Sequence, residues 1–149
     1  MSEKLSEVVK RGESEEVEFK KSNAQLDRAL KSVCSFLNHK GGRVYFGISK
    51  GKIVGQEVSD QTLKSISQKI RQRTRPEISP GIKVLEFGDK KVSVDEVKEG
   101  NNKPYYLDGI DYKRVGTENI RMYYLCSSFG TWSTTYYLCT FRKQDNYYR

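Results

Sequence analysis

The sequence has little of what zinc-binding and disulfide-bonded proteins need. Its 149 residues include a single histidine, His39, and three cysteines, Cys34, Cys126 and Cys139, with no CxxC pair. Zinc sites need closely paired cysteines or accompanying histidines, so this composition argues against one. We interpret the three cysteines as reduced and structural.

Long apolar runs are also missing. No stretch approaches the roughly 20 apolar residues that a membrane-spanning helix requires. The first residues, MSEKLSEVVKRG, alternate acidic and basic side chains and contain no apolar signal-peptide core. These absences predict a cytoplasmic protein that does not associate with membranes.

Acidic residues are the minority charge. The chain has 27 Lys and Arg against 19 Asp and Glu, a formal net charge of +8. A basic balance of this size favours an anionic partner such as nucleic acid.

The length suits one ordinary domain, which we place at residues 1–121. Residues 122–149 form an aromatic-rich extension, expected to pack on the domain or to form a homodimer interface.

Periodicity predicts three helices and several strands. Helices are indicated at Ser2–Arg11, from Ser22 to Leu37, and at Asp60–Arg75, where apolar side chains recur at helical spacing. Glu15–Lys20 alternates with a period of two, as half-buried strands do. The fold class is therefore α+β, with two or three helices packed on a mixed, mostly antiparallel sheet.

Two hairpins are expected in the middle of the chain. RVYFGIS and IVGQEV flank the turn KGK, and IKVLEF and KVSVDEV flank Gly88. Alternation along the first strand predicts that Val44, Phe46 and Ile48 share one face.

Five segments resemble one known family in order and spacing. They are ESEEVEFKKS, SFLNHKGGRVYFGI, GKIVGQE, NKPYYL and DYKRVGTEN, and together they cover roughly Leu5 to Asn119. They resemble the Schlafen Alba-like domain family, formerly catalogued as a divergent AAA domain. The resemblance implies a nucleic-acid-binding domain of the kind found in transcriptional regulators, helicase-related proteins and RNA-cleaving Schlafen proteins.

In the nucleolytic members of that family, two carboxylates of the motif E-x4-E-F-K serve catalysis. The resemblance maps them onto Glu13 and Glu18, with Lys20 beside them, and would make both ligands of Mg²⁺ or Mn²⁺. Lys50 occupies the place of the family's third acidic residue, and a lysine there repels a cation and favours a phosphate. Both glutamates could instead flank a sheet and pair with lysines. In one straight strand they would face opposite ways, so a shared site requires Glu13 to lie in a bend.

The segment NHKGGR carries a glycine pair between basic residues. Two glycines let the backbone approach a ligand, and Lys40 and Arg43 add charge. The pattern differs from GxxxxGK[ST], and its glycines follow a helix instead of preceding one, so an ATP site is unsupported. The sequence predicts no cofactor apart from Mg²⁺ or Mn²⁺ in the nuclease interpretation.

We predict a single domain that binds DNA or RNA through basic side chains with little sequence preference. Lys64, Arg71 and Arg75 form a basic stripe on the third helix, and tyrosines beside cations suit stacking on single-stranded bases. The candidate contacts are Lys20, Lys21, Lys40, Arg43, Lys50, Arg71, Arg75, Lys103, Tyr105 and Arg114.

Two alternatives remain open. The first is a metal-dependent endoribonuclease that uses Glu13 and Glu18. The second is a protein-interaction module that dimerises through the aromatic extension.

Overall fold

A computed structural model describes residues 4–122 of the chain. Its helices are α1 (Leu5–Arg11), α2 (Leu26–Leu37) and α3 (Asp60–Arg73). Its strands are β1 (Val17–Lys20), β2 (Gly41–Phe46), β3 (Ile48–Ser49), β4 (Lys52–Ile53), β5 (Thr74–Arg75), β6 (Gly81–Phe87), β7 (Lys90–Lys98), β8 (Tyr106–Leu107), β9 (Tyr112–Val115) and β10 (Glu118–Arg121).

Local sequence signals account for the helix ends. Gly12 closes α1 with a positive φ of 80°, and its N–H donates to the carbonyl of Val8. Ser59 and Thr62 form a capping box at the start of α3, in which each side chain accepts from the other's backbone N–H. A short 3₁₀ turn, Asn23–Gln25, precedes α2.

The main sheet has four strands in the order β1-β2-β7-β6. β1 runs parallel to β2, with Val17 opposite Arg43, and the other pairs are antiparallel. The parallel pair is joined through α2, as a parallel connection requires a crossover. The sheet is thus mixed and mostly antiparallel, and the predicted α+β class is confirmed.

Apolar clusters cover both faces of this sheet. On one face, α2 and α3 pack against Val44, Phe46 and Val97. On the other face, α1 packs against Tyr45, Val92 and Val94. The sheet is therefore the middle layer between α1 on one side and α2 with α3 on the other.

Ile48 departs from the sequence prediction. Val44 and Phe46 belong to the cluster beneath α2, as expected, but Ile48 belongs to the cluster beneath α1. Gly47 between them has a φ of 113°, a conformation that side-chain-bearing residues rarely adopt. This glycine ends β2, so the alternation of faces does not continue into β3.

Short ladders complete the described part of the chain. β3 and β4 form the predicted hairpin, β5 pairs with β8, and β9 pairs with β10. The β9–β10 hairpin is tied to α2 by Asn119, whose Nδ2 donates to Ser32 Oγ at 2.9 Å. Within residues 4–122, no helix has the length and apolar character to span a membrane.

Cys34 is buried on α2, and its Sγ donates to the carbonyl of Tyr105 at 3.3 Å. Burial raises the pKa of its thiol to about 11. The other two cysteines lie outside the described residues, as does the predicted aromatic extension from residue 123 onward with its proposed dimer interface.

Candidate functional site

Glu13 lies in the bend before β1. The bend is closed by mutual backbone hydrogen bonds between Ser14 and Val17. The carboxylate of Glu13 turns back onto the strand, where its Oε1 accepts from the N–H of Phe19 at 2.9 Å. Glu13 therefore lies outside the straight strand, as a site shared with Glu18 would require. Its carboxylate, however, is occupied by a hydrogen bond from the backbone of β1.

This contact is part of a capped sheet edge. β1 pairs with β2 on one side only, which leaves alternate backbone groups facing outward. Ser14, Glu13 and Gln25 accept from the N–H groups of Val17, Phe19 and Lys21, respectively. Local groups thus satisfy the outward N–H groups along β1.

Glu18 points to the opposite face of β1 from Phe19 and is buried. Its Oε2 accepts from Arg114 Nη2 at 2.8 Å, and its Oε1 pairs with the ammonium of Lys20. A buried carboxylate requires such partners, because an unpaired buried charge is strongly unfavourable.

Arg114 is the largest fully buried side chain of the described residues, at 1% exposure. It donates to Asn119 Oδ1 and to the carbonyl of Ser14, both at 2.8 Å, besides Glu18. Its guanidinium lies 5.1 Å from the ring centre of Phe36. Arg114 therefore connects the β9–β10 hairpin to the outer edge of β1 and to α2.

Glu13 and Glu18 do not fit a divalent metal site. Glu13 is engaged by backbone, and Glu18 by two cations that compete directly with a metal ion. Across residues 4–122, no three His, Cys, Asp or Glu side chains converge as metal ligands would. Hard cations require several oxygen ligands, and two separately engaged carboxylates do not supply them.

Lys50 shares a depression with Glu13 but not with Glu18. The depression, about 410 Å³, is lined by Glu13, Lys21, Lys50 and the ring of Phe19, among others. The two exposed lysines at its rim make it a shallow basic hollow around one glutamate.

A larger groove, about 520 Å³, opens at the end of the sheet where β2 begins and β7 ends. Four cationic side chains line it: Arg11, Lys40, Arg43 and Lys98. Lys40 and Arg43 were expected from the sequence. Arg11 and Lys98 were not, because they lie far from the glycine pair in sequence and only the fold brings them to it.

The charges of the groove are partly neutralised. Arg43 pairs with Glu96 at 3.4 Å, and Lys103, just outside the groove, pairs with Glu99. A hydrogen bond from Lys83 lowers the pKa of Glu96, and one from Lys103 lowers that of Glu99, so both remain ionised. Lys40 and Lys98 are exposed, and neither forms an ion pair with any described residue. Glu16 and Glu99 also line the groove, and the charge of Lys40 contributes to the lowered pKa of Glu99. Lys40 and Lys98 are thus cations without a direct ion pair in a groove of mixed charge.

Gly41 and Gly42 line the groove between Lys40 and Arg43, and the fold requires both to be glycine. A Cβ on Gly41 would lie 2.6 Å from the carbonyl of Val97, and Gly41 has a φ of 80°. A Cβ on Gly42 would lie 2.8 Å from the ring of Phe36 and from the carbonyl of Glu16. The glycine pair is thus required by close packing of the strands, in addition to any role toward a ligand.

The predicted contact residues fall into separate surfaces. The groove is lined by Lys40 and Arg43, and Lys103 lies beside it. The basic hollow is lined by Lys21 and Lys50. Lys20 pairs with the buried Glu18. Arg71 and Arg75 lie together at the end of α3, where Arg75 Nη1 donates to the carbonyl of Arg71 at 2.9 Å.

Two predicted contacts are corrected by burial. Arg114 is enclosed in the network described above, so it cannot reach a phosphate from this position. Tyr105 is 5% exposed and belongs to the core beneath α2, so its ring is not available to stack on a base. Alternation along short strands buries such side chains as readily as it exposes them.

The chain matches a family sequence profile and is similar to solved structures. The sequence profile of the family described as Schlafen, AlbA_2 matches residues 13–123. The DIP2311 protein from Corynebacterium diphtheriae is similar with a TM-score of 0.59 at 19% identity, over 72% of this chain. This chain covers 22% of that one.

A second solved structure is similar over nearly its whole length. It is the N-terminal domain of a RecG-related protein from Nitrosomonas europaea, with a TM-score of 0.60 at 20% identity, covering 87% of this chain and 99% of that domain. At such identities the likeness shows the fold alone. No curated protein sequence matches the chain.

Proposed function

Because this chain belongs to the Schlafen, AlbA_2 family, we propose that it is a nucleic-acid-binding domain and that the groove at the end of the sheet holds the phosphate backbone. The observation that carries the proposal is the pair Lys40 and Lys98, two exposed cations on one concave surface that form no direct ion pair with a described residue, although the charge of Lys40 acts on Glu99. The family and its RecG-related neighbour support a nucleic-acid-related role for such a surface.

The groove offers a phosphate three kinds of contact. Lys40 and Lys98 supply mobile ammonium groups that act as point charges. Arg43, held in place by Glu96, presents a planar guanidinium that suits phosphate oxygens. Gly41 and Gly42 carry no side chains, so a ligand could approach the backbone there.

The lining of the groove favours binding that is independent of base sequence. No aromatic ring and no Asn or Gln side chain lies among its lining residues. Amide side chains read the edges of bases and aromatic rings stack on them, whereas phosphate contacts position the strand without reading it. The proposal therefore includes DNA and RNA alike and a role in transcription regulation or nucleic-acid handling in the cytoplasm.

Salt-dependent binding tests the proposal directly. Fluorescence anisotropy with labelled 20-nucleotide single-stranded DNA, single-stranded RNA and duplex DNA is measured between 50 and 200 mM salt. We expect similar affinities for different sequences and a steep fall with salt, because each phosphate contact releases about 0.9 counterions from duplex DNA.

A double variant, Lys40→Gln with Lys98→Gln, should reduce the salt slope by about two and weaken binding at least about 10-fold at low salt. The control is Lys4→Gln with Lys52→Gln, which removes the same charge from exposed positions outside the groove. Equal behaviour of the two double variants would show that the groove is not the binding surface.

Cleavage does not form part of the proposal, because Glu13 and Glu18 are engaged elsewhere and do not fit a metal. The same RNA incubated with Mn²⁺ or Mg²⁺ should remain intact on a denaturing gel. Metal-dependent fragments that disappear with Glu18→Ala would replace this proposal by the endoribonuclease alternative.

A further inference from the structure

We infer that the basic hollow beside β1 takes one unpaired nucleobase of the strand whose phosphates the groove holds. This inference rests on the proposed function of the groove and deepens it by naming the class of nucleic acid. A domain with such a hollow binds a single-stranded end or overhang more tightly than a fully paired duplex.

The hollow and the groove adjoin at Gly12. This glycine ends α1 and lines both depressions. A strand that leaves the groove across the end of α1 therefore enters the hollow without crossing the body of the domain. Phosphates in the groove and a base in the hollow can thus belong to one short stretch of strand.

The floor of the hollow is apolar and carries an aromatic ring. Val9, Phe19 and Ile48 come from α1, β1 and β3 and line the hollow together. The ring of Phe19 is half-buried and meets the ring of Tyr45 edge-on, with centroids 5.8 Å apart and an interplanar angle of 74°, which holds its orientation. A ring held in a concave surface can stack on a base of any identity.

Polar side chains around this floor keep hydrogen-bonding capacity for a base edge. Gln25 Oε1 accepts from the N–H of Lys21 at 2.8 Å, which leaves Nε2 as a donor. Glu13 uses Oε1 toward Phe19, which leaves Oε2 as an acceptor. The hydroxyl of Ser49 has no hydrogen bond to a described residue. An amide, a carboxylate and a hydroxyl can satisfy the edge of an unpaired base, whereas the groove has neither a ring nor an amide side chain.

Lys50 lies at the rim of the hollow against the local backbone preference. Lys50 and Gly51 form the two-residue turn between β3 and β4, with φ values of 50° and 70°. Such turns favour Asn or Asp before Gly, and the chain has Asp108 before Gly109 in another turn of this kind. A lysine in this conformation costs stability, and Lys50 forms no ion pair with a described residue in return. With the exposed Lys21 it instead supplies two cations for the phosphates that flank a base.

A paired base cannot use the hollow. In a duplex both faces of a base are stacked and its edge is paired, so the ring and the polar groups have nothing to contact. The volume of the hollow, about 410 Å³, lies within the roughly 300–1,000 Å³ that small-ligand sites have. An unpaired base at a strand end meets both conditions.

Three labelled duplexes test the inference by fluorescence anisotropy. One is blunt, one has an overhang of four thymines, and one has an overhang of four abasic residues with the same phosphate charge. The overhang is placed at the 5′ end in one set and at the 3′ end in another. In at least one set the wild-type chain should bind the thymine overhang at least about 5-fold more tightly than the abasic one, because a base stacked on a ring contributes this much. An affinity ratio near one in both sets would overturn the inference.

Phe19→Leu removes the ring and keeps an apolar side chain in the cluster beneath α1. It should bring the affinity ratio of the two overhangs to within about 2-fold of one. The matched control, Phe87→Leu, removes an exposed ring that lines neither depression and should keep the wild-type ratio. Because the ratio is measured within one variant, a smaller folded fraction affects both overhangs equally. A ratio that Phe19→Leu leaves unchanged, or that both variants abolish, would overturn the assignment of the ring.

Lys50→Asn tests the rim of the hollow. Asn before Gly suits the turn, so this variant should raise the urea midpoint, yet it should lower the salt slope of the thymine-overhang duplex by about 0.7. The matched control is Lys4→Asn, which removes the same charge from the exposed N-cap of α1, where Asn is also favoured, and should keep the wild-type slope. Equal slopes for the two variants would overturn the role of Lys50.

A free nucleotide and the groove variant distinguish the remaining outcomes. If thymidine monophosphate competes with the thymine overhang at equal affinity, the hollow holds a free nucleotide and the assignment to a strand is overturned. Lys40→Gln with Lys98→Gln should weaken binding of all three duplexes and keep the ratio of the two overhangs. If this variant leaves blunt-duplex binding unchanged, the groove proposal fails, whereas a wild-type ratio near one removes the inference alone.

Discussion

Arg114 and Glu18, 96 positions apart in the chain, form a buried ion pair with Nη2 and Oε2 2.8 Å apart. The pair joins the β9–β10 hairpin to the edge strand of the sheet. It also explains why an acidic motif in a basic protein contains a glutamate with almost no solvent exposure.

Replacing Arg114 by methionine should lower the free energy of unfolding by about 3 kcal/mol, because Glu18 keeps only Lys20 as a partner in the interior. The measurement is urea unfolding at neutral pH. Arg43→Met, which removes an exposed arginine from its pair with Glu96, is the control and should cost less than about 1 kcal/mol.

The double variant Glu18→Gln with Arg114→Met should cost less than the sum of its two single changes, since the buried charge is then gone as well. Strict additivity would mean that the two side chains stabilise the fold independently.

Glu13 should behave as a cap of the β1 edge. Glu13→Ala removes the acceptor of the Phe19 N–H and should cost about 1 kcal/mol, whereas Glu13→Gln retains an acceptor oxygen and should cost less than about 0.5 kcal/mol. Thermal unfolding distinguishes the two. Equal losses would indicate that the charge matters and not the hydrogen bond.

Asp95 should make the stability of the fold depend on pH. It is 0% exposed in the middle strand β7, and neither carboxylate oxygen has a hydrogen-bond partner among the described residues. Burial raises its pKa from 3.8 to about 7. The folded chain therefore keeps a proton that the unfolded chain loses between about pH 4 and pH 7. The contribution of Asp95 to the free energy of unfolding therefore falls by up to about 4 kcal/mol as the pH rises through that window. Above the window this contribution is constant.

Two variants of Asp95 check this dependence. Asp95→Val places a β-branched side chain between its strand neighbours Val44 and Ile82, so it should raise stability at pH 8 and remove the slope. Asp95→Asn should also remove the slope but gain less, because its amide is still buried. Unfolding curves that keep the wild-type pH profile in both variants would contradict this assignment.

Gly41→Ala should destabilise the chain by at least about 2 kcal/mol, because the added Cβ meets backbone atoms of the β7 end in a residue that already has a positive φ. Gly116→Ala is the matched control. Gly116 also has a positive φ, of 59°, but its Cβ would contact nothing within 4 Å, so only the conformational cost of about 1 kcal/mol should appear. Similar unfolding midpoints for the two variants would show that crowding at Gly41 is relieved by local movement.

Local signals determined much of this protein from its sequence. The helix stop at Gly12, the hairpin at Gly88, the periodic apolar residues of α2 and α3, and the mixed α+β class all follow from spacing and from backbone preference, which act between near neighbours in the chain. The ordered set of segments from ESEEVEFKKS to DYKRVGTEN also sufficed to indicate the family, and the match over residues 13–123 confirms it.

Tertiary structure decided what each charged or aromatic side chain does. No local pattern distinguishes the buried Arg114 from the exposed Arg71, or Tyr105 in the core from a stacking residue, because burial depends on which distant elements pack above a position. The partners of Glu18, the convergence of Arg11 and Lys98 on the glycine pair, and the burial of Asp95 likewise come from contacts between remote parts of the chain. The sequence by itself determined which elements form and the excess of positive charge; only the packing of those elements decided which charges remain free to meet a ligand.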